Sequence, residues 1–452
     1  MSDSMKERLK EIEPRLLPWQ VPWARDMLEC LSANRCVVDA SDTGLGKTAV
    51  AIAMGYATRR KLAVVCGKWA RPQWHELMIK LGYHHTYGVN HWEIVRLDKT
   101  DFGKWNNGRT REFAWSLPLA DTLIVFDEIH NAGGVNTLNS KMVIGAKAQG
   151  FPVIGLSATV ADTPLRMKAL GYMLGLYPSP NHYWSWITCH GCFRNQWNGW
   201  EFADKGGTHT RAIHKAIFGD RRGVRVRKDS IPDFPECIAF AEAIDVDDAA
   251  EEIEREYREL AEVLQQYTLK LLSVTDARTL VLRARQRIEL LKIPALVDMA
   301  HSVMADGGSP VIFCAFRETV LRLFDKLKCP FILGGMDERE YRQNAEVFRT
   351  NRQIPIVATY GAGSESINLQ DTQGNSPRTG ILLPTYSSRQ IRQAEGRIHR
   401  ATGKSTATAI FVFAANTLET GVLRKGFDKL VQLDNLQDGA AMPLPLPPEL
   451  CT

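Results

Sequence analysis

The sequence predicts an α/β fold with two parallel-sheet domains, and three observations carry that prediction. The chain has 452 residues, too many for one ordinary hydrophobic core. Short apolar runs alternate with helical patterns through the first half, and the same alternation resumes near residue 310. The runs are continuous in their apolar character, which suits strands covered on both faces.

Taken in order, Cys36-Val-Val-Asp-Ala40 is predicted to be a strand entering a glycine-rich turn, with a helix from Thr48 to Arg60 leaving it. Leu62–Cys66, Trp92–Leu97, Thr122–Phe126 and Pro152–Leu156 are predicted as further strands. Between about 180 and 240 the rhythm breaks into tryptophans, glycines and a basic cluster. From Asp247 to about Leu272 a charged helical pattern follows, with Ile253, Tyr257, Leu260, Val263, Leu264 and Tyr267 near one face. Those apolar positions are too few and too irregular for a coiled coil. The second set of strands is Val311–Ala315, Phe331–Leu333, Ile354–Ala358, Ile381–Leu383 and Ala407–Phe413. The expected domains are therefore residues 1–240 and 275–435, with a helical protrusion at 241–274 and a proline-rich, extended tail at 436–452.

Apolar residues make up 44% and charged residues 24%, the balance of a soluble globular protein. No apolar run reaches the ~18 residues that span a bilayer. The N-terminus is polar and lacks a signal-peptide core. An intracellular protein, cytoplasmic or at the nucleoid, without a membrane partner is expected, and nothing requires an oligomer. Nine scattered cysteines suit reduced thiols. The formal charge of +5 is weakly basic and compatible with a phosphate-backbone partner.

Chemistry concentrates in three places. Ser41-Asp-Thr43-Gly44-Leu45-Gly46-Lys47-Thr48, between a strand and a helix, has the context of a phosphate loop. Glycines let backbone N–H groups approach phosphates, and the helix N-terminus adds partial positive charge. Lys47 is placed to reach the β- and γ-phosphates and Thr48 to bind Mg²⁺. Leu123-Ile-Val-Phe-Asp127-Glu128-Ile-His130 ends an apolar strand in two carboxylates. Asp127 suits the Mg²⁺ shell, and Glu128 suits orienting or deprotonating a water. Gln393-Ala-Glu-Gly-Arg397-Ile-His-Arg400 carries two arginines that can stabilise charge on a γ-phosphate.

Asp-Glu-x-His, Ser157-Ala158-Thr159 and Gln-x-x-Gly-Arg-x-x-Arg together resemble helicase superfamily 2. Leu17-Pro-Trp-Gln20 resembles the family's upstream glutamine motif, and Gly361-Ala-Gly363-Ser364-Glu-Ser-Ile-Asn368-Leu its fifth motif. The resemblance implies two RecA-like lobes, ATP and Mg²⁺ on the first, and Arg397 and Arg400 reaching them from the second, with Gln393 beside them. It also implies that Gln20 reads adenine. Ser157, Thr159, Gly363, Ser364 and Asn368 would couple the nucleotide to a nucleic-acid track.

His182-Tyr-Trp-Ser-Trp186, Trp197-Asn-Gly-Trp200 and Arg225-Val-Arg227-Lys228 further resemble the first-lobe ending of Swi/Snf-type remodellers, closest to their annealing-helicase branch. Leu282-Arg-Ala-Arg-Gln286 and Lys292-Ile-Pro-Ala295 are similar to that branch's second-lobe opening. The expectation is a DNA helicase or translocase that remodels forked or branched DNA, on the scale of compact phage or bacterial motors. Ser364 and Ser366 depart from the remodellers' glycines, and Gln370–Arg378 is more like phage and recombination-type helicases. An RNA helicase, or an ATP-gated clamp that does not translocate, is the alternative.

Three plainer readings stand beside these. Cys189-His-Gly-Cys192 is half a zinc pattern without a second Cys-x-x-Cys. The clustered tryptophans are core or base-stacking platforms, with core favoured. Arg225 and Arg227, in the densest basic run, either track a phosphate backbone or pair with carboxylates.

Overall fold

The computed structural model describes residues 3–439, except 98, 107–110, 197, 245, 247–248, 269–272, 351–352, 364–366, 386 and 415–418. It divides into two compact units. The first holds the chain up to Pro232 together with the helical end from Leu430, and the second runs from Asp233 to Lys429.

The first unit is built on a six-stranded sheet in the order Gly223–Val224, Cys36–Asp39, Val153–Leu156, Thr122–Asp127, Lys61–Cys66, Thr86–His91. All neighbours are parallel. Cys36–Asp39 and Val153–Leu156 are buried at every residue, as apolar runs covered on both faces should be. The helix Lys47–Thr58 follows the first strand and buries eight residues, mostly alanines and β-branched or long aliphatics. A three-stranded antiparallel insertion, Lys99–Thr100, Gly103–Trp105 and Phe113–Trp115, adds aromatics to the same core, with Trp115 edge-on to Phe126.

One predicted strand is a helix. Trp92–Val95 forms a single helical turn, and the strand precedes it at Thr86–His91. His91 caps the turn by accepting from the Ile94 amide. The buried residues Trp92 and Val95 lie three apart, a spacing that suits a short helix as well as an apolar strand.

The second unit has its own six-stranded parallel sheet in the order Cys237–Ile244, Ala407–Ala414, Arg378–Leu382, Ser309–Cys314, Ile356–Thr359, Phe331–Ile332. Its edge strand moves the expected boundary near 240 back to Pro232. Cys237–Ile244 pairs along its whole length with Ala407–Ala414. Its sequence, Cys-Ile-Ala-Phe-Ala-Glu-Ala-Ile, is apolar apart from Glu242, but three alanines give it weak strand propensity, and as an edge it is half-buried or exposed at every residue before Ile244.

The expected protrusion at 241–274 is also corrected. The helices Ala250–Thr268 and Val274–Leu291 place Ile253, Tyr257, Leu260, Ala284 and Ile288 in the core of the second unit. Lys292, which opens the following helix, forms a buried 2.6 Å ion pair with Glu419. At the other end, the helix Glu419–Asp438 continues past residue 435, and Leu436 joins the first unit's core beside Ile213 and Ile217. The rest of the expected tail, from 440, lies outside the described residues.

Candidate active site

The loop between Asp39 and Lys47 is held from below and from one side. Asp39 accepts from the Ser41 amide at 3.0 Å, and Ser41 Oγ accepts from the Val226 amide at 2.9 Å. Gly44 and Gly46 have φ of 83° and 93°, a region that disfavours side chains. At Gly46 a Cβ would also lie 2.2 Å from Gln20 Nε2. Buried Gln20 donates from Nε2 to the Leu45 carbonyl at 2.9 Å and accepts from the Leu17 amide at 3.0 Å. The predicted residues Thr43, Gly44, Leu45, Gly46, Lys47 and Thr48 thus form one backbone cradle, with Gln20 clamped to it.

Lys47 extends its ammonium to the carbonyls of Ser41 at 2.8 Å and Asp42 at 3.0 Å. Burial pushes its pKa below the ordinary value, against the pull of Asp39, Glu128, Asp42 and Asp127. Burial likewise pushes the Asp39 carboxyl up to about 6, with Lys47 opposing. One lysine therefore faces four carboxylates, of which Asp42 and Glu128 remain over a quarter exposed.

Asp127 ends its strand where the carboxyl is gripped by an indole. Trp74 donates to Oδ2 at 2.8 Å, and Trp92 donates to the Asp127 carbonyl at 3.1 Å. Burial, and next the charge of Glu128, push Asp127 up to about 6. Glu128 adopts left-handed backbone at φ 55°, an uncommon conformation for a residue with a side chain. That turn directs its carboxylate to His130, with Oε2 3.1 Å from Nδ1.

From His130 the contacts continue into the next motif. Its Nδ1 is 2.9 Å from Ser157 Oγ, and Ser157 Oγ accepts from the Thr159 amide at 3.1 Å. Ser157 is anchored in turn through its own amide to the Asp39 carbonyl at 3.0 Å. Glu128, His130, Ser157 and Thr159 are thus linked in a line that starts at the carboxylate pair. Ala158 offers its carbonyl to Gln437 Nε2 at 3.0 Å.

In the second unit, Gln393 and Arg397 are buried on the helix Ser388–Ile398. Arg397 Nη1 and Arg400 Nη2 both donate to the Ile367 carbonyl, at 3.5 and 3.2 Å. Leu369 donates its amide to the Arg397 carbonyl at 3.0 Å. The fifth-motif segment Ile367–Leu369, including half-buried Asn368, is thereby fastened to the arginine helix. Gly363 ends the short helix Tyr360–Gly363, while Ser364 lies outside the described residues.

Arg225 is not laid out for a nucleic-acid backbone. It pairs with Asp42 at 2.8 Å and with Asp438 at 2.8 Å, and also donates to the Ala40 carbonyl. Arg227 pairs with its neighbour Asp229. Trp184 stacks on Trp200 with ring centres 5.2 Å apart, and Trp186 packs on Tyr177, around a small core containing Tyr183 and Ile187. Trp197 lies outside the described residues. Cys192 is buried and Cys189 exposed, and among the described residues neither joins a group of three metal-ligating side chains.

Trp74, Asp42 and Asp438 were not found by sequence reasoning. A buried indole needs an acceptor, which is the one signal that could have pointed to Trp74. Nothing local marks Asp438 as a partner of the phosphate loop.

No protein-family model matches the chain. A protein of Acanthamoeba polyphaga mimivirus, named "Putative ATP-dependent RNA helicase L364", is 26% identical over 461 aligned residues, covering 95% of this chain and 85% of that one. Among solved structures, S. cerevisiae Dbp5 bound to RNA and ADP BeF3 is matched at 12% identity with a TM-score of 0.49, over 97% of this chain and 95% of that one. A point variant of Dbp5 with the same ligands gives the same identity and TM-score.

Proposed function

We propose that the chain is an ATP-dependent helicase that acts on RNA, with ATP and Mg²⁺ held by the first unit. The residues present fit both groups. The cradle has two positive-φ glycines, at one of which, Gly46, a Cβ would collide with Gln20, and half-buried Asp127 beside the Glu128 carboxylate has room for a cation's charge. Thr48 and Asp127 would hold the Mg²⁺, which when bound would supply charge neutralisation on the phosphate oxygens. Lys47 exchanges the Ser41 and Asp42 carbonyls for phosphate oxygens. Glu128 orients the attacking water and takes its proton. Arg397 and Arg400, with Gln393 beside them, serve the charge that develops on the γ-phosphate. Gln20 secures the loop and meets the base.

The observation that carries the reading is the line Glu128–His130–Ser157–Thr159. Simple nucleotide binding needs no such link. A motor needs one, because the state of the γ-phosphate must reach the groups that grip the track. The mimivirus relative's name favours RNA over forked or branched DNA. Trp186 and Trp200 pack against the small core around Tyr183 and Ile187, and Trp184, 39% exposed, stacks on Trp200, which weakens that expectation further.

Steady-state ATP hydrolysis with single-stranded RNA, duplex RNA, single-stranded DNA and forked DNA tests the proposal. Stimulation of at least about tenfold by RNA, with ATP-dependent displacement of an RNA strand, is the expected result. Stimulation by forked DNA alone would return the reading to DNA remodelling. Equal rates on all four, with no displacement, would overturn the motor.

A further inference from the structure

The second unit brings Cys237, Glu395 and His399 together, with one donor atom from each lying within 4.8 Å of the others. We infer that these residues form a Zn²⁺ site with a fourth position for water. Three features build it. Cys237 begins the edge strand of the sheet, fixed by its pairing with Ala407. Glu395 and His399 lie four apart at the end of the arginine helix, where the His399 amide donates to the Glu395 carbonyl at 3.1 Å. His399 is the helix C-cap, in extended backbone at φ −119° and ψ 102°, and its ring lies within reach of the Glu395 carboxylate one turn back.

His399 is already oriented as a ligand would be. Its Nε2 lies 2.6 Å from the Pro235 carbonyl and donates to it, so the other ring nitrogen carries the lone pair. Phe234 packs edge-on against the ring at 5.0 Å. One Glu395 oxygen faces Arg392 at 3.6 Å, and the carboxylate has a second oxygen to offer.

Donors bound tetrahedrally at about 2.0–2.3 Å lie roughly 3.3–3.7 Å from one another, so the cluster needs only a small closure. A thiolate, an imidazole and a carboxylate select Zn²⁺ over Mg²⁺ or Ca²⁺. On binding, the Cys237 thiol gives its proton to solvent. The metal joins the start of an edge strand to the end of the helix that carries Arg397.

The test uses the full chain, freed of metal with a chelator and titrated with Co²⁺, then Zn²⁺. The expected result is one Co²⁺ per chain with a thiolate-to-cobalt charge-transfer band, removed by Zn²⁺. Cys237→Ser should abolish the band, and Glu395→Gln and His399→Asn should each weaken Co²⁺ binding at least about tenfold. Circular dichroism checks that each variant is folded. Should Cys237→Ser fail to fold, the Glu395→Gln titration decides alone. No band in the parent chain, a band unchanged by Cys237→Ser or Glu395→Gln, or a band lost on Cys189→Ser and Cys192→Ser would overturn the site.

Discussion

Arg225 and Asp438, 213 positions apart in sequence, form a two-pronged ion pair, Nε to Oδ1 at 2.8 Å and Nη2 to Oδ2 at 2.9 Å. The same guanidinium holds Asp42, whose carbonyl accepts the Lys47 ammonium. The end of the last helix is therefore two side chains away from the phosphate loop.

Asp438→Ala should destabilise the protein by about 3 kcal/mol, because Arg225 would lose the partner in its least accessible contact. Chemical denaturation measures this. An unchanged midpoint would mean that Asp42 alone satisfies the guanidinium.

Lys47→Ala and Glu128→Gln should each lower kcat for ATP hydrolysis by at least about a hundredfold with the fold intact. Circular dichroism and a steady-state assay together check this. Near-normal turnover in either variant would mean that the active site is elsewhere.

Ser157→Ala removes the oxygen shared by His130 and Thr159. Basal ATP hydrolysis should stay within about threefold of the parent, while strand displacement falls at least about tenfold. Parallel loss of both activities would assign Ser157 to the chemistry rather than to coupling.

Asp127 gives a pH signature. Its carboxyl titrates near 3.8 as a free side chain and about 6 in the fold. Between those values the folded chain holds more protons, so this group makes the nucleotide-free protein less stable as pH rises from about 4 to 6. Asp127→Asn should therefore stabilise the nucleotide-free protein at pH 7, by about 3 kcal/mol, while abolishing hydrolysis. The gain should vanish toward pH 4. Melting curves across that range with parent and variant check the sign, and a destabilised variant at pH 7 would refute it.

The parts of this molecule legible in the sequence are those whose physics is local. Glycines at positive φ, an apolar strand ending in Asp127-Glu128, and two arginines one helical turn apart each announce themselves within eight residues. The four inner strands of the first sheet were equally legible because both faces are covered there, whereas its edges, Thr86–His91 and Gly223–Val224, were not. Cys237–Ile244 was missed because its three alanines carry little strand propensity, and Trp92–Val95 because apolar residues on either side of Glu93 fit either periodicity. The Arg225–Asp438 pair and the Trp74 grip on Asp127 depend on tertiary folding, which no local pattern encodes. Arg225 looked like a backbone contact because charge is visible in sequence and its partners are not.

The helix end from Leu430 has a consequence for biosynthesis. The first unit's core includes Leu436, yet roughly 200 residues of the second unit separate Pro232 from Leu430. At ordinary translation speeds the nascent first unit waits about 10–40 s for its last piece. During that interval Ile213 and Ile217 lack an apolar neighbour, and Arg225 lacks Asp438. The emerging chain should be a chaperone client until its final helix leaves the ribosome. A release at residue 429 would leave that state permanent.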